Sequence, residues 1–349
     1  MTSHRAPRSR RRRRLLACAL AVAALPLLPA ASNADGTPPW PGLPYLTYDP
    51  DRPGSMGAEY YWGGVAQTGM AGSVRAKQWA RIPLAMLAIN AVVDPEAGTD
   101  AAGRIAIPYS ALAFFVSPQG SEHPYGESPL IPVRTVAFGT IPVEATLQLV
   151  QRRDDQNVPV PIAIDAKDGI PATGTGSFAD PAVLDAQVGL RVRSLKVDGV
   201  DLRLRSTCAP RTWARLQLTS KYWEGPGTNG TEQMEAFDTD HSFMGGPGGT
   251  LTGTLDIPAF ANCRTAAGDD VSRILTATIA GPGNPVTARL GIAVCFTTGP
   301  DWMIRPPGPG DTTPEKANCL GDGRVQHPIP ANPKIVTVPD PLPFPNHAP

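Results

Sequence analysis

Histidine, cysteine, lysine and aromatic rings are all scarce: of 349 residues, five are histidine, five cysteine and six lysine, and 6% are aromatic. So few histidines and cysteines leave little from which to build a clustered metal centre. No G-x-S-x-G, H-E-x-x-H, glycine-rich phosphate loop or complete calcium loop occurs, so the motifs that mark a serine hydrolase, a zinc protease or a nucleotide site are missing. No cofactor is expected. Beyond residue 34 no apolar run approaches the ~18 residues of a membrane helix, so no membrane span is expected there. Helices of any length are also disfavoured, because 35 glycines and 40 prolines are spread through the chain and break them.

What is present begins with charge in an unusual place. Seven arginines (Arg5, Arg8 and Arg10 to Arg14) precede an apolar run of fourteen residues from Leu15 to Leu28. A basic segment followed by a short apolar one is the layout of an export signal, and the run is too short for an anchor. Ser32-Asn33-Ala34 places the expected cut between Ala34 and Asp35, with Ala30 or Ala31 as earlier alternatives. Cys18 precedes the apolar region, so cleavage there as a lipoprotein would leave nothing to insert. Arg12-Arg13 has a twin-arginine spacing, and the export route stays open. The expected location is extracellular or cell-wall associated.

Removing residues 1–34 leaves twenty-four cations against thirty-one carboxylates, a net charge of −7. A basic face for nucleic acid is therefore not expected. Arginine far outnumbers lysine, a bias that a GC-rich bacterial genome imposes without a functional reason.

The mature chain reads as strands separated by turns. After an irregular segment 35–57, apolar and β-branched stretches occur at 81–93, 104–116, 132–151 and 158–165. Val143, Ala145, Leu147 and Leu149 alternate with polar residues, as a half-buried antiparallel strand requires. Residues 167–185 read as a linker, with Asp180-Pro181 suited to open a short helix. The sharpest local signal follows: 188–197, Asp198-Gly199 and 200–204 spell a hairpin, since Asp-Gly tolerates the two positive φ angles of its turn. Further strands are expected at 214–219, 250–257, 274–280 and 285–296, with Asp270 capping a helical turn. Thirteen of the last 52 residues are proline, which gives an extended tail over 298–349. The fold expected is all-β, with two sandwich-like (immunoglobulin-like) antiparallel domains at 58–166 and 186–297.

Cys18 leaves with the signal, and Cys208, Cys263, Cys295 and Cys319 remain. An even count in an exported chain favours disulfides over metal ligation. Of three possible pairings, Cys208–Cys263 with Cys295–Cys319 fits the strand positions best.

Val197-Asp198-Gly199-Val200, Cys208, the stretch Gly249 to Cys263 (GTLTGTLDIPAFANC) and Ile279-Ala-Gly-Pro-Gly-Asn-Pro-Val286 carry a pattern. Over about 188–296 it resembles a family of secreted actinobacterial β-rich proteins of unassigned function. The resemblance implies export, a β-rich fold and disulfides, and it implies no reaction.

Candidate chemistry is thin. Asp238, Asp240 and His241 offer three ligands for a cation within four residues, beside the simpler reading of a polar loop. Tyr60, Tyr61 and Trp62 beside Glu59, and Tyr222 and Trp223 beside Glu224, combine rings with acids. Such rings stack on sugars or fill cores, and paired acids serve glycoside hydrolysis. Asn229-Gly230-Thr231 has the letters of a glycosylation acceptor but suits a glycine-rich turn. The leading expectation is a non-enzymatic structural or binding protein whose partner is wall polysaccharide or another envelope protein. The alternative is an extracellular hydrolase.

Overall fold

The computed structural model describes residues 60–93, 97–118, 121–123, 125–137, 140–155, 157–226, 236–245, 247–291, 295–296, 303–304, 320–321, 339 and 341–349. The expected signal segment and the irregular segment 35–57 lie outside them.

Ten strands organise the described chain: β1 (Tyr60–Ser73), β2 (Gln78–Val93), β3 (Ile105–Phe115), β4 (Ile131–Ala137) and β5 (Ile141–Gln151). They continue as β6 (Ile162–Ile170), β7 (Val183–Val197), β8 (Ala214–Thr219), β9 (Gly248–Ile257) and β10 (Gly281–Leu290). Eight of these close into a barrel in the order β1-β2-β3-β6-β7-β8-β9-β10, with β10 returning to β1. Every neighbouring pair is antiparallel, and β6 meets β7 at Asp165 and Val183. Apart from the β4–β5 hairpin inserted after β3, the barrel is an up-and-down meander. Closure satisfies the edge strands that an open sheet would expose.

The all-β expectation holds, but the two sandwiches give way to one barrel. The segment up to Ile170 supplies β1, β2, β3 and β6, and the segment after it supplies β7 to β10. Each set of four is a single sheet with one apolar face, and a single sheet cannot bury that face alone. The two sets close on each other at β1–β10 and β6–β7. The expected linker is about half strand, because β6 runs to Ile170, a short strand spans Ser177–Ala179 and β7 starts at Val183. Asp180 does not open a helix. Its carboxylate accepts from Arg104 at 2.9 Å and faces the Lys167 ammonium at 3.0 Å.

Alternation sorts the side chains. Leu184, Val188, Leu216, Leu218, Leu251, Leu255 and Val286 point into the barrel. On the same strands Asp185, Arg215, Thr219 and Thr252 are exposed. These outward-facing residues of β7, β8 and β9 are polar. No described helix is long and apolar enough to cross a membrane.

Of residues 274–280, expected as a strand, 274–279 form part of helix α1 (Ser272–Ile279) and Ala280 is its C-cap. Val271, Leu275 and Ile279 repeat every four residues and lie against the Cys208–Cys263 disulfide, Phe260 and Leu190. That shared apolar face selects the helical period over the strand period. Asp270 does not take the cap position, which Val271 holds without a side-chain cap; one residue earlier, its carboxylate accepts from the Ser272 amide at 3.0 Å. The Asp198-Gly199 turn forms with φ of 50° and 76°, and Val200 pairs with Val197. Only Val200 and Asp201 continue that ladder, since Leu202 and Leu204 turn into the cluster beneath α1.

Candidate functional site

β7 is long enough to have two partners on one edge. Its first residue meets β6, and its second half pairs with β5 from Val188 to Val197. Where β6 begins and β5 ends, the Gln151 amide replaces the missing ladder. Its oxygen accepts from the Phe115 amide at 2.7 Å, and its nitrogen donates to the carbonyls of Ala113 and Val160 at 3.1 and 2.9 Å. β4 hangs on the far side of β5 and packs against the first half of β2 with no ladder between them. The barrel wall therefore contains a seam between β2 and β4, closed by side chains alone.

Behind this seam lies a cavity of ≈180 Å³. Leu216, Leu218, Leu251, Leu255 and Val286 form its back wall, and Leu147, Leu149 and Leu190 join it to the cluster under α1. Toward the opposite rim Val65, Ile89, Tyr109 and Phe243 fill the barrel. The void follows from side-chain size. An eight-stranded barrel is just wide enough to be filled by its own side chains, and Ala71, Ala80, Ala85, Ala113 and Ala288 are too small to fill their share. Among the described residues, no Asp, Glu, His, Lys, Arg or Cys lines it. An apolar cavity of this kind stays dry and takes apolar guests.

Outside the seam runs a wider groove of ≈600 Å³. Trp79, Ala80, Ile82, Pro83 and Val133 line both spaces and form the partition between them. The chain's last residues make the groove's outer wall. The Trp79 indole N–H donates to the His347 carbonyl at 2.8 Å, and the Arg81 guanidinium lies 4.5 Å over the Phe344 ring.

Comparison with known protein families, curated proteins and solved structures finds no match. The site therefore has to be argued from its own geometry.

One polar pair faces inward beyond the filled end of the barrel. The Tyr109 hydroxyl donates to Asp168 Oδ2 at 3.2 Å. Burial pushes the Asp168 carboxyl up to about 6 against the bonds from Tyr109 and the Gly245 backbone, which favour the charged form. Burial, followed by the Asp168 charge, raises the Tyr109 phenol well above its ordinary range. Neither residue lines the cavity.

The residues singled out from sequence are dispersed. His241 Nδ1 sits 3.0 Å from Asp238 Oδ2, while Asp240 pairs with Arg289 on β10. Among the described residues no group of three or more His, Cys, Asp or Glu is arranged to hold a metal ion. Tyr222 is exposed and bonds Glu224, whereas Trp223 is half-buried and meets Phe237 edge-on at 5.0 Å. The backbones of Tyr60, Tyr61 and Trp62 begin β1, but their side chains, like Glu59 and Asn229-Gly230-Thr231, lie outside what is described. Cys208 and Cys263 are bonded across a separation of 55 residues. The sulfur atoms of the expected Cys295–Cys319 pairing fall outside the described part of the chain.

The cavity residues carry no motif, so a search for chemistry misses them. The available signal is indirect, in alanines recurring on one face of alternating strands.

Proposed function

We propose that this protein is a non-enzymatic binder that takes a small apolar molecule, or the apolar part of a larger one, into its barrel. The observation that carries this reading is the uncharged ≈180 Å³ cavity behind an unladdered seam. General acid–base chemistry requires an ionisable group within reach of the reacting atom, and the cavity wall supplies none. Glu224, an acid put forward for hydrolysis, stands on a short outer strand beside Tyr222. Sugar stacking also loses support there, because Trp223 spends its ring on Phe237. With the arginine-rich leader read as an export signal, the binder works outside the cytoplasm.

The test is equilibrium dialysis of 1-octanol against residues 35–349. Saturable binding of one molecule per chain is expected, and Ala288→Leu, which fills part of the cavity, should weaken it at least tenfold while circular dichroism stays unchanged. Non-saturable partition, or undiminished binding by the folded variant, would sink the proposal.

A further inference from the structure

We infer that the guest is a single-tailed amphiphile with an anionic head, its tail in the barrel and its head in the groove outside the seam. This rests on the reading of the cavity as a binding site and names the class of ligand that fits it. The cavity sets the tail. An apolar void of ~150 Å³ holds the six carbons of benzene, so ≈180 Å³ accommodates about seven carbons before the chain must leave through the partition.

The groove sets the head. Among the described residues its charged lining residues are Arg81 and Arg134, in a mature chain whose net charge is −7. Among the described residues, neither guanidinium is paired with a buried acid. Arg81 stacks on Phe344, and Arg134 lies 3.5 Å from Glu144 in a pair whose side chains are 85% and 52% exposed, the kind of contact that contributes little. Guanidinium groups present paired N–H donors matched to a carboxylate or phosphate. Thr68, only 6% exposed, also lines this groove, and its hydroxyl has no hydrogen-bond partner among the described residues. A buried hydroxyl without a partner carries a cost that an incoming acceptor relieves. Five residues shared by cavity and groove, with no ladder across the seam, leave only side chains to move when a tail passes.

Phe344 stacks on the guanidinium that the head requires. The chain's own end and the head group therefore compete for Arg81.

The experiment compares octanoate with 1-octanol by calorimetry at neutral pH and low salt, using residues 35–349 and the double variant Arg81→Gln/Arg134→Gln. Octanoate places a seven-carbon tail behind its carboxylate, and the alcohol has equal length and no charge. The carboxylate should bind about tenfold more tightly, the lower end for a charge-assisted hydrogen bond. That advantage should vanish in the double variant with octanol affinity unchanged. Equal affinity in the unmodified protein, or an advantage that survives the double variant, overturns the head-group site and leaves the cavity reading standing. Failure of both compounds to bind overturns both.

Discussion

Asp168 allows the electrostatics of the barrel end to be tested by a single substitution. Its carboxyl is held at about 6, against an ordinary 3.8, because burial penalises its charge more than Tyr109 and Gly245 stabilise it. The gap of about two pH units corresponds to at most about 3 kcal/mol, reduced in practice because the side chain keeps some solvent contact. Since the folded-state value is raised, the folded protein holds the proton while the unfolded chain has released it, so stability falls as pH rises from about 4 to about 6. Below about pH 4 both states are protonated and the penalty is absent, and above about pH 6 it is fully present. Asp168→Asn keeps an acceptor for the Tyr109 hydroxyl and removes the charge. The variant should match the parent near pH 4 and exceed it by up to about 3 kcal/mol at pH 7. Urea unfolding followed by tryptophan fluorescence, run on both proteins across this range, gives the difference with other titrating groups cancelled. A difference that stays flat from pH 4 to pH 7, or a variant less stable at pH 7, would refute the burial argument.

Two further substitutions test how the wall and its lid are held. Gln151→Leu strips partners from the Phe115 amide and from the carbonyls of Ala113 and Val160, and should cost about 3 kcal/mol in urea unfolding; a loss under about 1 kcal/mol would mean that the amide is not the bridge between β3, β5 and β6. Replacing Cys208 and Cys263 together by serine frees a loop of 55 residues and should lower stability by about 4 kcal/mol, which the unfolding midpoint reports directly; an unchanged midpoint would show that α1 is held by packing alone.

The strands were legible because alternation is local. The 188–197 strand and its Asp198-Gly199 turn, the 214–219 and 250–257 strands and the Cys208–Cys263 pairing appear where their residues place them, while the expected 200–204 strand stops at Asp201. β1 was harder to see, since Gly63, Gly64, Gly69 and Gly72 dilute its pattern. Closure was not legible at all. Whether four alternating strands fold onto a sheet of their own or onto a second set of four is decided by contacts such as Met70 with Thr287 and Asp165 with Val183, between residues distant in sequence. The segment 274–280 failed for a related reason. Isolated, ILTATIA suits a strand, and only the disulfide and Phe260 on one side of it reward a four-residue period.

The cavity is a consequence of closure and inherits its illegibility. Ala85, Ala113 and Ala288 look like unremarkable strand residues until the barrel turns them toward one another. The same alternation that puts Asp185 and Arg215 on the outside as an ion pair keeps charge from the cavity wall. The inward-facing acid Asp168, bonded to Tyr109, sits beyond the filled end of the barrel and away from that wall. The cavity itself offers apolar volume, and Arg81 and Arg134 line the groove outside the seam. On the proposed reading, the site works by recognition at its mouth and desolvation in its interior.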